Sequence, residues 1–173
     1  MSMAMLRKGV TGAVTALVLG VGVHQAEAAA PPPAEGVGTC YTAPEVRASQ
    51  LRQLQTELMV ATLSCAGYPQ LGFRDRYNAF VNRYGANLNA TARTLRGHFQ
   101  RVHGRDHSKR FDAYITSLAN QASLRSFEEP TYCQSMATLF DALNAVEPRE
   151  IEDFAAREVA AAEATMPCAT PRR

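Results

Sequence analysis

Between Arg74 and His103, the residues Tyr77, Val81, Tyr84, Leu88, Ala92, Leu95, Phe99 and Val102 recur at steps of four and three. That spacing draws one apolar stripe along a helix of about 30 residues, roughly 45 Å at 1.5 Å per residue. A rod of this length sets the scale of the whole fold. Two interior glycines, Gly85 and Gly97, each cost about 1 kcal/mol against Ala. Asn87-Leu88-Asn89 can cap a fresh start, so a kink near Gly85 is expected.

The segments on either side repeat the same period. Thr42-Ala43-Pro44-Glu45 is a capping box with proline in the first turn. It opens a first helix whose stripe is Leu51, Leu54, Leu58 and Ala61, continued by Cys65 and closed by Gly67 and Pro69. Gly104 ends the long second helix. A third runs from about Ser108 to Ser126 on Phe111, Ile115, Leu118 and Ala122. Pro130 and Thr131 open a fourth with Cys133, Met136, Phe140 and Leu143, and Pro148 starts a fifth with Ile151, Phe154, Ala155, Val159 and Ala162. No stretch alternates with period two for long enough to make a strand. The fold class is therefore all-α, an antiparallel bundle of about five helices in residues 42–165.

The N-terminus precedes this bundle with a different chemistry. Arg7 and Lys8 lie ahead of an uncharged, largely apolar run from Gly9 to Val23, and Ala26-Glu27-Ala28 offers small residues at a cleavage site. Residues 1–28 read as a Sec-type secretory signal peptide. The run of about 15 residues is short of the roughly 20 that span a bilayer. Its removal from the 173-residue chain leaves about 145 residues, enough for one domain with a sizeable core. Residues 29–41 read as a flexible leader and 166–173 as an irregular tail carrying Cys168. The expected location is periplasmic or secreted, with no transmembrane segment after cleavage.

Export gives the cysteines their meaning. Cys40, Cys65, Cys133 and Cys168 are an even set at wide spacings, with no C-x-x-C pair for redox chemistry, no haem attachment motif and no paired zinc ligands. Two structural disulfides are expected, and no cofactor. Antiparallel counting puts the end of the first helix and the start of the fourth at one pole, which favours Cys65–Cys133 and leaves Cys40–Cys168. The second pair then needs the fifth helix or the tail to cross the bundle. Pairing of Cys40 with Cys133 and Cys65 with Cys168 stays open.

Candidate chemistry concentrates between Arg93 and Arg110. Arg93, Arg96, Arg101, Arg105, Lys109 and Arg110 stand against Asp106 alone, a possible surface for an acidic lipid head group, a polyanionic sugar or an acidic partner. The competing expectation is internal neutralisation. By the same counting, Glu147, Glu150, Glu152 and Asp153 come to lie beside these cations. His98, His103 and His107 suggest a metal-dependent enzyme, but Gly104 interrupts the helix that would make His103 and His107 a ligand pair. His98 is off the stripe and expected near the surface.

No serine sits in a nucleophile motif, and the carboxylate pairs are sequence neighbours that diverge, so no catalytic residue is assigned. Tyr77, Phe80, Tyr84 and Phe99 could instead line a core site for a small apolar ligand, and Asn78, Asn82, Asn87 and Asn89 form an unusual polar flank. The formal charge of +2 argues against a nucleic-acid partner.

Leu51 to Cys65, Tyr77-Asn78-Ala79-Phe80-Val81 and Leu95-Arg96-Gly97-His98-Phe99 resemble a family of small exported all-helical proteins of Gram-negative bacteria. The resemblance implies compartment and fold, and carries no activity or site. The expected function is a non-catalytic binding or interaction module with a protein or envelope component as partner. A carrier of a small apolar ligand and a metal-dependent enzyme are the alternatives.

Overall fold

The computed structural model describes residues 39–159 and 165–169, all in one compact unit. The expected signal peptide, most of the leader, Ala162 of the fifth stripe and the last four residues lie outside the described residues. Five α-helices follow in order: α1 (Ala43–Ser64), α2 (Phe73–His103), α3 (His107–Glu128), α4 (Tyr132–Leu143) and α5 (Ile151–Glu158). Short 3-10 turns at Pro69–Leu71, Gly104–Asp106 and Pro148–Glu150 precede α2, α3 and α5. Among the described residues there is no strand, only a single parallel bridge between Tyr41 and Pro167.

α2 is one uninterrupted helix of 31 residues, so Gly85 and Gly97 start no second helix. A Cβ at either position would meet no atom within 4 Å beyond the local helix itself, so each glycine is an energetic cost without a break. The break comes at Gly104, whose φ of 51° and ψ of −118° suit glycine. It turns the chain so that α3 returns antiparallel, placing Phe111 and Tyr114 on Phe99 with ring centroids 5.5 and 5.4 Å apart.

α1 departs most from its sequence pattern. Its apolar stripe of Leu51, Leu54, Leu58 and Ala61 is buried, but so are Glu45, Ser49, Gln53, Thr56 and Glu57 on other faces. α1 is the central rod, packed against α2, α3, α4 and α5. The core divides along it. One cluster joins Leu51, Leu54 and Leu58 to Phe73, Phe80 and Tyr84 of α2, Phe140 of α4 and Ile151 and Phe154 of α5. The other joins Tyr41 and Ala48 to Leu95, Phe99, Tyr114 and Leu118.

Both favoured disulfides are present, Cys65–Cys133 and Cys40–Cys168. The first joins the end of α1 to the start of α4. The second closes because the tail comes back along α1: Thr165 Oγ1 lies 3.5 Å from Ser49 Oγ, Tyr41 N–H donates to Met166 O at 2.8 Å, and Cys168 N–H donates to Tyr41 O at 2.9 Å. The expected leader therefore ends earlier than residue 41. Cys40 is disulfide-bonded, and Tyr41 is buried in the second core cluster.

Candidate functional site

The acidic patch does not reach the cations it was expected to neutralise. α4 has 12 residues against 31 in α2, about 18 Å against 46 Å, so its end falls at the middle of α2. There Tyr84 donates to the carbonyls of Leu143 and Val146 at 3.0 and 2.8 Å, and Asn87 Nδ2 donates to Pro148 O at 3.0 Å. The acids consequently meet other partners: Glu147 lies 3.6 Å from Arg83, Asp153 pairs with Arg47, and Glu150 lies 3.6 Å from Arg149.

Of the six cations, Arg101 alone has an ion pair among the described residues, and it turns away from the others. It donates to both oxygens of Glu45 at 2.7 Å. Arg101 thus belongs to a structural cluster and leaves the candidate surface. Arg96 places its guanidinium over the Phe111 ring, 5.6 Å from the centroid. Arg93, Arg105, Lys109 and Arg110 are exposed and make no ion pair among the described residues. A cationic surface therefore surrounds the α2–α3 turn, with Asp106 and Asp112 as the acids that share these segments.

His98 also corrects its expectation. It is buried at 2% exposure, stacked on Tyr41 with centroids 3.7 Å apart, and its Nδ1 lies 3.2 Å from Glu45 Oε2. Burial pushes its pKa below the ordinary value, against the pull of Glu45. Burial by itself would raise the Glu45 carboxyl; Arg101, the Thr42 amide and hydroxyl, and His98 outweigh it and hold Glu45 below the usual carboxylate range. The capping box that starts α1 is thus also the anchor for α2, since Glu45 accepts the Thr42 N–H at 2.8 Å while binding Arg101.

His103 stacks on Phe99, and the Nδ1 of His107 is 2.9 Å from Gly104 O. The three histidines do not converge. Among the described residues no three His, Cys, Asp or Glu side chains are grouped to hold a metal ion.

Other polar groups in the interior escaped the sequence reading. Glu57, 5% exposed, pairs with Arg125 of α3. Tyr114 is buried with its hydroxyl unpaired, and burial raises its pKa. Arg52 runs from the central helix with its Nε buried and unpaired. The missed signal for His98 was its register, three residues after Leu95 and four before Val102, on the flank of the stripe. For Glu57 and Arg52 there was none, because their burial or half-burial follows from α1 packing against four helices at once.

No family model, no curated protein and no solved structure matches the chain. The reading of function therefore rests on its own residues.

Proposed function

We propose that this chain is an exported, non-catalytic binding module of the periplasm or cell envelope, and that it meets an acidic envelope component through Arg93, Arg96, Arg105, Lys109 and Arg110. The observation that carries the reading is the lack of a carboxylate partner for any of these five among the described residues, once the acidic patch is found at Arg47 and Arg83. Uncompensated like charge on a small fold raises its self-repulsion, and it draws anions over a Debye length of about 8–10 Å. Two disulfides suit an oxidising compartment outside the cytoplasm. The apolar run of residues 9–23, read as part of a signal peptide, supports the route there. Among the described residues, no helix is long and apolar enough to cross a membrane.

The carrier reading is weaker because its aromatic residues share no one cleft: Phe80 and Tyr84 line a cleft of about 280 Å³ with Phe140 and Leu143, while Phe99 packs on Phe111 and Tyr114 in the other core cluster. Retention of the disulfide-intact protein on immobilised heparin, a polyanion, tests the reading. Binding that weakens with salt, and that Arg105→Glu/Lys109→Glu/Arg110→Glu abolishes while Arg149→Glu leaves it, supports it. No retention, or equal loss in both variants, overturns it.

A further inference from the structure

A guanidinium carried by the central helix of a bundle needs a reason. Arg52 lies on α1, which is packed against both α2 and α3. Its Nη1 donates to Gln55 Oε1 at 2.6 Å, a neutral acceptor, while its Nε is buried without any acceptor. No carboxylate forms an ion pair with it among the described residues. Arg52 as a whole is half-buried, but the buried Nε–H is a donor of a charged group, and leaving such a donor without an acceptor costs more than leaving an ordinary polar group so.

A second cation makes the problem sharper. Arg96 of α2 lines the same cleft, with Phe111, Asp112, Ile115 and Thr116 of α3. Burial first, and then the positive charge of Arg96, depress the Arg52 pKa. Two cations thus share a wall, and Asp112, the one carboxylate lining it, pairs with neither. Thr116 spends its hydroxyl on the Asp112 carbonyl at 2.9 Å. The Phe111 ring occupies the flat face of Arg96, which leaves the in-plane N–H groups of that guanidinium for another acceptor.

We propose that Arg52 and Arg96 form an oxoanion site between α1, α2 and α3, which takes a phosphate, sulfate or carboxylate group of an anionic ligand. Guanidinium edges present paired N–H donors at the spacing of two oxygens on such a group, and charge-assisted bonds of this kind are the stronger ones. The cleft of about 380 Å³ has room for the head group and part of the molecule that bears it. Phe111 and Ile115 supply an apolar wall for that part. The site deepens the proposed function and rests on it for the biological partner, since Arg96 belongs to the same cationic surface. The local chemistry, however, is tested separately from it.

Inorganic phosphate is the probe. The disulfide-intact, ¹⁵N-labelled chain is titrated with phosphate, and with chloride at matched ionic strength, while the arginine Nε–H signals are followed. A saturable shift of the Arg52 Nε–H with phosphate and none with chloride is the expected result. Arg96→Gln, an exposed position that leaves the fold intact, weakens binding about tenfold or more, the worth of a charged hydrogen bond. Arg105→Gln, outside the cleft, weakens it by less than about threefold, as a screened surface charge does. Arg52→Lys keeps the charge and loses the fork, and weakens binding as Arg96→Gln does. A shift that follows ionic strength alone, or equal effects of Arg96→Gln and Arg105→Gln, overturns the site and means that water satisfies Arg52. Should heparin retention fail while phosphate still saturates, the proposed function falls and the site stands.

Discussion

Removing the Cys40–Cys168 bond by double substitution to serine, with Cys65–Cys133 intact, isolates what holds the two chain ends together. Taken alone the bond closes a loop of 128 residues, and the inner bond one of 68. The loops are nested, so the larger number overstates the effect. With the inner bond in place, a denatured chain passes from Cys40 to Cys65, across the sulfurs, and from Cys133 to Cys168. The effective loop is about 60 residues, and the chain-entropy model gives about 4 kcal/mol for it, against about 5 for the full loop. The inner bond is worth about the same as the outer one, so the two bonds contribute nearly equally despite their different spans.

Native contacts add a second contribution. Without the cross-link, Tyr41 N–H to Met166 O and Cys168 N–H to Tyr41 O hold the ends by two backbone bonds beside the Tyr41–His98 stack. Such bonds net about 1 kcal/mol each, too little to keep the tail docked against its own conformational entropy at all times. Urea unfolding of oxidised protein is the assay. The expected loss is about 4 kcal/mol, or about 2 M in the midpoint for a slope near 2 kcal/mol/M. A loss under about 1 kcal/mol at unchanged slope would refute the reasoning, since the outer bond would then not restrict the denatured chain.

Three other outcomes follow from the same geometry. Glu45→Ala removes the acceptor of Thr42 N–H and Arg101, and costs about 2–3 kcal/mol by urea unfolding; a fully buried pair would lose about 3–5, but the Arg101 side chain stays 33% exposed. His98 has a depressed folded pKa, so its contribution is complete above its unfolded value of 6.5 and is lost as pH falls from there through the folded value. Glu45 acts with the same sign below 4.5, and unfolding series at stepped pH with His98→Gln flatten only the upper window. Gly104→Ala costs about 1–3 kcal/mol from backbone strain alone, whereas Gly85→Ala in the middle of α2 stabilises by about 0.5–1 kcal/mol; opposite shifts in thermal midpoint check the pair.

Legibility in the sequence followed the kind of information each feature needs. Helix positions and the stripes of α2 and α3 depend on period, which is local, and Leu88, Leu95, Leu118 and Ala122 are buried as that period requires. Disulfide partners depend on which pole each helix end occupies, and counting reversals supplies that. The enclosure of α1 depends on four neighbours at once, and no local pattern encodes it. For this reason the burial of Glu57 and Gln53 and the half-burial of Arg52 had no signal in the sequence. His98 failed differently, because its register placed it at the border of the stripe and Tyr41, 57 residues earlier, stacks over it and buries it.

The misplacement of the acidic patch is the consequential one, because it changes what the cations do. Counting reversals treats every helix as running from pole to pole, yet α4 and α5 together have 20 residues, fewer than α2 alone. They cover the half of α2 that holds Phe73, Phe80 and Tyr84, and the half that holds Arg93 and Arg96 faces α3 and the α1 terminus instead. Helix length, a quantity readable from the same caps and breakers, thus separates opposite charges that topology brings together. Among the described residues the exposed cations between Arg93 and Arg110 other than Arg101 keep no carboxylate partner, the acids find Arg47, Arg83 and Arg149, and the function proposed above supplies an anion from outside as the complement of the α2–α3 end.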